Sequence, residues 1–308
     1  MLSRIAESLF WIGRYLERAE DTCRILDVNR QLVLDDPSVD SEAAGAALLR
    51  VMGAPIPERI DEAATMKALC YDEGSSGSIV SALTGARESA RRARETVSIE
   101  LWESINTTWY SVRDGRLKWM RSADALKLVR ERCALIAGIA DGTMSHDEGW
   151  HFLMLGRSLE RTDMTARLLS TVAATSATPS AWRNVLRGCG AYHAFIRTYG
   201  GAASNREAAE FLLLDRLFPR SLVHSLTTAE DALSHLDPGE RRAGYLDDAQ
   251  RLVVLARTGL EYRPKGEILQ GLPQRMTDLQ RVCNDISRSI SAKYFEGAIA
   301  AEWRGGAW

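Results

Sequence analysis

Residues 13–26 read GRYLERAEDTCRIL and residues 156–169 read GRSLERTDMTARLL, and this pair of stretches decides how the chain folds. Gly13, Arg14, Leu16, Glu17, Arg18, Thr22, Arg24 and Leu26 recur at a constant offset of 143. Helical packing asks for periodic apolar residues and not for particular charges at fixed places, so a match of this length marks an internal duplication.

The flanking apolar residues identify the carrier. Ile5, Leu9, Ile12, Leu16, Ala19, Cys23 and Leu26 follow one another in alternating steps of four and three, and Phe152, Leu155, Leu159, Thr162, Ala166 and Leu169 do the same. Both copies are therefore long amphipathic helices. At about 100° per residue, Glu17 and Arg24 fall on one flank of the Leu16 seam with Gly13 between, and Arg14 and Asp21 lie slightly further round. An ionic stripe thus borders the core. Gly13 and Gly156 carry no side chain there, which leaves room for another helix or a ligand to approach the charges.

Outward from the repeat, the rest of the chain also reads as helix. Asp35-Asp36-Pro37-Ser38 is a turn, Pro55 and Pro57 break the next piece, and 72–78 (DEGSSGS) is the most loop-like internal segment. Helices are predicted over Ile79–Arg94, from Ser98 as a cap, over Ala123–Ile139, and from a capping box at Ser145 and Glu148. Later ones are predicted over Ala181–Tyr199, Arg206–Leu217, Pro219–Leu236, Glu240–Leu260 and Gln274–Ala300. No stretch alternates with period two for long. The expectation is an all-α helical bundle of about ten helices, a single domain over 1–308 with cryptic duplicated halves 1–145 and 146–301 and a tail at 302–308.

Composition narrows the function classes. Of 308 residues, 45% are hydrophobic, enough for a substantial core, and the net charge of −2 favours neither nucleic acid nor an anionic membrane as partner. Lysine occurs only as Lys67, Lys118, Lys127, Lys265 and Lys293, so 34 of the 39 basic residues are arginine. A GC-rich genome explains that bias, and so does a use for guanidinium forks in buried ion pairs and carboxylate recognition. Five scattered cysteines without a C-x-x-C indicate a reducing compartment. The N-terminal segment is interrupted by Arg4, Glu7 and Arg14, which suits neither a signal peptide nor a membrane span, so a cytoplasmic location is expected.

The repeated Arg-x-x-Glu-Arg is the strongest candidate for chemistry. Arg14, Glu17 and Arg18 in one copy and Arg157, Glu160 and Arg161 in the other are i,i+3 and i,i+4 neighbours. Side by side, the two helices would converge two arginine pairs and two carboxylates, to hold an anionic substrate while Glu17 or Glu160 moves a proton. The competing reading is an ion-pair network that fixes helix register.

A second stripe, Arg87, Arg91 and Arg94, precedes Ser98, Trp102 and Asn106 at four-residue steps. It is either a solvated salt-bridged face or a polar surface backed by an aromatic ring. Gly74–Ser78 before a helix is a linker or an anion cradle. Phe218-Pro219-Arg220-Ser221 puts Pro at a helix start and Arg220 near its dipole-positive end, which is unfavourable without an anion nearby. Glu148-x-x-His151 has the spacing of a di-metal bundle ligand pair, but no second copy exists, so no metal site is expected.

These stretches together resemble a known family. SRIAESLFWIGRYLERAE at the start, GRSLERTD in the repeat, ARESARRARETVSIELWESIN in the middle and FPRS later are similar to the bacterial alpha-E proteins, and the resemblance spans essentially the whole chain. It implies an all-helical protein, encoded beside or fused to a circularly permuted ATP-grasp ligase, with a role in making or handling a small peptide. Carried onto this chain, the signature falls on Arg14, Glu17, Arg18, Arg157, Glu160 and Arg161, the middle block supplies Arg87, Arg91, Ser98, Glu103 and Asn106, and the tetrapeptide supplies Arg220. Gly85 stands where the family pattern has Asn.

Two functions follow as expectations. One is a component of amide-bond metabolism that binds a carboxylate-bearing amino acid or peptide on the arginines, with Glu17 or Glu160 as acid/base. The chain has no phosphate loop, so no intrinsic cofactor is expected, and ATP and Mg would belong to the partner ligase. The other is a non-catalytic helical adaptor that docks on the ligase, with the tail EWRGGAW at 302–308 as a docking peptide.

Overall fold

Nothing in the first 35 residues stops a helix except Gly13, and the chain uses that freedom: α1 runs for 33 residues, Ser3–Asp35, until Asp36 turns to extended dihedrals before Pro37. The computed structural model describes residues 1–174, 179–200, 204–237, 247–267 and 269–295. Among these residues it is all-α, with thirteen α-helices and no strand. The surplus over the expected ten comes from short helices between prolines and glycines. The C-terminal tail lies outside the described residues, as does the Glu240 start predicted for a later helix.

The chain forms two compact units, Met1–Arg157 joined by Tyr294 and Phe295, and Ser158–Lys293. The duplicated halves anticipated from the repeat meet at 145 and 146, whereas the compact units divide inside α7 (Glu148–Ala174), after Arg157. The first turns of α7 are packed on α1, which draws them into the first unit.

In the first unit α1 is flanked lengthwise by α4 (Ile79–Arg92) and α6 (Ser122–Thr143), and α5 (Ile99–Val112) packs on both of these. Short helices α2 (Ser41–Val51) and α3 (Glu62–Met66) lead into a π-helical turn, Lys67–Tyr71. Leu9, Phe10, Ile12, Leu83, Ile105 and Ile136 form the core and are almost wholly buried. Each contributes about 1.5–3 kcal/mol by leaving water.

The second unit continues α7 and adds α8 (Pro179–Gly188), α9 (Tyr192–Tyr199), α10 (Asn205–Leu214), α11 (Leu222–Leu236), α12 (Asp248–Glu261) and α13 (Leu272–Tyr294) up to Lys293. α11 packs along α12, and α10 contacts α8, α9, α11 and α12. Trp182, Phe211, Leu226, Leu233, Val253 and Ile286 fill the interior.

Helix ends account for the departures from the sequence-based boundaries. The helix expected over Ala181–Tyr199 is broken into α8 and α9 because Gly190 takes φ 67°, a left-handed conformation that terminates α8. α7 is capped by Asp147, whose Oδ1 accepts from the Gly149 and Trp150 N–H groups, and not by Ser145. α11 starts at Leu222 with Ser221 as its cap, so Pro219 and Arg220 occupy the preceding turn and not the first helical turn. The complete capping box lies elsewhere, at Ser204 and Glu207.

Candidate functional site

The start of the second copy of the signature, Gly156 and Arg157, meets the first copy within the first unit. A Cβ built on Gly13 would lie 2.1 Å from the Leu153 carbonyl oxygen, and one on Gly156 would lie 2.0 Å from the Phe10 carbonyl oxygen. Backbone therefore touches backbone at both glycines. The contact is reciprocal, each glycine meeting the residue three before the other, and Phe10 and Leu153 are themselves separated by the repeat offset of 143. That is the signature of a local two-fold relation between duplicated helices. The space beside Gly13 and Gly156 is thus filled by a helix.

The charges lie against this crossing. Arg14, Glu17 and Arg18 are each only 2% exposed. Arg157 Nε donates to Glu17 Oε2 at 3.1 Å and joins the second copy of the signature to the first. Arg14 lies over the Phe10 and Trp11 rings and Arg18 over Tyr15, at 5.6–5.9 Å from the ring centroids. The sequence placed this stripe at the edge of a Leu16 seam, but α1 is covered on several sides, so the charges are buried while Leu16 is half-exposed. A void of about 20 Å³ lined by Gly13, Leu16, Glu17 and Arg157 adjoins the pair. That is room for about one water molecule.

Further along α1 the ionic row continues. Arg24 donates to the buried Glu20 at 2.6 Å, and Arg130 of α6 donates to Asp27 at 3.0 Å. The Glu20–Arg24 pair recurs in the second unit as Asp163–Arg167, where Arg167 Nε donates to Asp163 Oδ2 at 2.7 Å and both residues are buried. Both copies of the repeated stretch thus carry an acid four residues before an arginine, beyond Arg-x-x-Glu-Arg itself.

The α4–α5 stripe divides into two kinds of arginine. Arg87 donates through Nε to Asn106 Oδ1 at 2.8 Å and lies over the Trp109 ring at 4.3 Å and the Trp102 ring at 6.0 Å. Trp109 in turn donates to Thr84 Oγ1 at 3.1 Å. Arg91 is exposed and shares Glu88 with Arg87, a surface pair worth about 0–1 kcal/mol. Ser98 caps α5 by accepting from the Leu101 N–H and shares a hydrogen bond with Thr143, so its hydroxyl serves the fold. Glu103 is exposed on α5. Gly85 packs on the Tyr15 ring, where an added Cβ would come within 2.8 Å.

In the second unit Glu160 is fully buried and Arg220 nearly so. Arg161 donates to the Pro219 carbonyl oxygen at 3.3 Å, which ties the α7 signature to the Phe218-Pro219-Arg220-Ser221 turn. Ser221 Oγ accepts from the His224 N–H. Burial, then Arg161, hold the His224 imidazole below its ordinary pKa, with Asp215 opposing them. The imidazole is therefore neutral at pH 7. Its buried Nδ1 has no hydrogen-bond partner among the described residues. Glu148, half of the Glu-x-x-His pair, accepts instead from the Met1 amino group at 3.0 Å.

A family model described as a predicted alpha-helical domain with a conserved ER motif matches residues 1–295, the span that carries both Arg-x-x-Glu-Arg copies. The chain belongs to the Alpha-E family. Relatives of this Alpha-E chain include uncharacterized proteins of Mycobacterium bovis and Mycobacterium tuberculosis that are 27% identical over 265 residues. The match covers 77% of this chain and 30% of theirs, so the Alpha-E chain spans under a third of the length of the relatives it matches. No solved structure matches it.

The Alpha-E signature proper accounts for six of the candidate residues, and the fold adds others. His224 escaped the sequence reading because a lone histidine three residues after a serine cap is an ordinary pattern; its meeting with Arg161 depends on the turn that precedes α11. Glu20 and Asp163 were legible, since they occupy matched positions, but differ in side chain and so fall outside an identity count. Among the described residues, no group of His, Cys, Asp and Glu has the arrangement of a metal site, and no helix is long and apolar enough to cross a membrane.

Proposed function

We propose that this protein is a component of an amide-bond-forming system that works with a circularly permuted ATP-grasp ligase, and that its Arg/Glu helices hold a carboxylate-bearing amino acid or peptide. The observation that carries the reading is the near-complete burial of Arg14, Glu17 and Arg18 beside a helix crossing that glycine packing already brings together. Apolar side chains of similar volume would set the same register at no greater cost, because desolvating ion pairs offsets most of their attraction. Guanidinium forks are suited to a carboxylate ligand, and Glu17 would serve as the proton-exchanging group once its ion pair with Arg157 opens. Glu160 is its counterpart in the second unit. ATP and Mg²⁺ would be handled by the ligase, and the greater length of the mycobacterial relatives fits a domain that acts with further protein.

The second reading is a non-catalytic adaptor that docks on the ligase and orients or shields its product. It is favoured by the water-sized void beside Glu17 and Arg157, which admits no amino acid while the pair is closed. Calorimetric titration with L-glutamate and glutamyl dipeptides separates the two. Binding that Arg14→Gln and Arg18→Gln weaken by about tenfold supports the ligand site. With the ligase present, amide formation undiminished in Glu17→Gln and Glu160→Gln proteins removes the acid/base role, and absence of any binding leaves the adaptor.

A further inference from the structure

One cavity of the first unit lies outside the signature helices. It encloses about 480 Å³, within the range of small-molecule sites, between the Met52–Pro57 segment, the π-helical turn and the 74–77 loop. Its walls are apolar, formed by Met52, Pro55, Ile56, Pro57 and Ala68. Ile56 remains 49% exposed beside it, so its side chain is available to a bound apolar group.

The charged groups among the described lining residues are two, Lys67 and Asp72, beside the Ser75 and Ser76 hydroxyls. Lys67 is the sole cation among the described lining residues, is exposed, and forms no ion pair among the described residues. The lining acid, Asp72, is engaged in its own turn, where Oδ1 accepts from the Gly74 N–H and the backbone oxygen accepts from Ser75 N–H and Ser78 Oγ. Ser76 and Gly77 line the cavity too, and their backbone N–H groups meet no acceptor among the described residues. The turn that bears Lys67 is a π-helix closed by the Asp72 N–H on the Lys67 carbonyl, a rare conformation that is held at a cost and is frequent at functional sites.

We propose that this cavity binds a small amphipathic acid, with its aliphatic or aryl body against Met52, Pro55, Ile56 and Ala68 and its carboxylate at Lys67 and the Ser76–Gly77 N–H groups. The prolines fix one wall before any ligand arrives, which lowers the ordering cost of binding. Burial of the apolar body drives association and the single cation selects its charge. The site is independent of the Arg/Glu helices, so either reading can fail without the other.

The test uses the intact protein and three probes of equal chain length: octanoate, octanol and octylammonium. Displacement of a fluorescent naphthalene sulfonate should rank octanoate above octanol by about tenfold, the weight of one charge-assisted hydrogen bond, with octylammonium weakest. Lys67→Met should erase the preference for octanoate, and Ala68→Phe should abolish saturable binding of all three. On the wild-type protein, octanoate should shift the Ser76 and Gly77 amide resonances, a readout that does not depend on any variant folding. Equal binding of octanoate and octanol, binding unaffected by Ala68→Phe in a folded protein, or unmoved Ser76 and Gly77 resonances would each overturn the proposal.

Discussion

Glu7 and His224 show how burial acts on single groups. Burial raises the Glu7 carboxyl above its ordinary pKa, and nearby Arg92 only partly offsets this. The folded state therefore binds this proton more tightly than the unfolded chain. The resulting stability is fully present below the unfolded carboxyl pKa and is lost as pH rises through the folded one. Glu7→Gln should accordingly raise Tm at pH 7, by on the order of a degree or two, and the gain over wild type should shrink as pH falls toward about 4. His224 moves in the opposite direction, as a base does when buried. Its imidazole resonances should titrate below the ordinary histidine value, and Arg161→Gln should bring the midpoint back up, because Arg161 is the second cause of the depression. A midpoint that Arg161→Gln leaves in place would separate His224 from the signature helix.

At the scale of elements, glycines at the α1–α7 crossing and in α6 have opposite consequences. Gly13→Ala and Gly156→Ala place a methyl group against backbone carbonyl oxygens that no rotamer change can move aside. Each should cost about 3 kcal/mol or more, read as a fall in denaturation midpoint, and the loss should be similar for the two because the crossing is reciprocal. Gly138 in α6 has nothing within 4 Å of its Cβ position. Gly138→Ala should therefore stabilise by about 0.5–1 kcal/mol through helix propensity alone. The same element-level logic explains the ionic rows: Glu20–Arg24 and Asp163–Arg167 are i,i+4 pairs within single helices, whereas Glu17–Arg157 links two and reports on their contact.

For the whole molecule, five cysteines in two compact units are all reduced thiols and all buried. Burial alone pushes the Cys70 thiol up to about 12, and burial is also the first cause that raises Cys23. Thiolate is the reactive form, so native protein should not react with Ellman's reagent at pH 8, and all five thiols should react in denaturant. Partial labelling in the absence of denaturant would show that one unit opens by itself. Comparing Cys70 and Cys133 with Cys189 and Cys283 by mass would say which unit it is.

The helical class and the repeated string that carries Arg14, Glu17, Arg18, Arg157, Glu160 and Arg161 were legible in the chain. They rest on periodicity and on a repeated string, which are local properties. Gly13 and Gly156 could be marked as places of close approach, but not what would approach, since a missing side chain does not name its neighbour. Three-dimensional packing decided that each glycine meets the other's helix, that the ionic stripe is buried and not marginal, and that the Ser98 cap also meets Thr143. It also decided that Arg87 lies between two tryptophans, while Arg91, on the same stripe, stays in water. The reason is physical: helical phase is set within one or two turns of sequence, whereas burial and partner choice depend on which other helices cover a face, and those come from well outside that window, from Asn106 beside Arg87 to Arg157 beside Glu17.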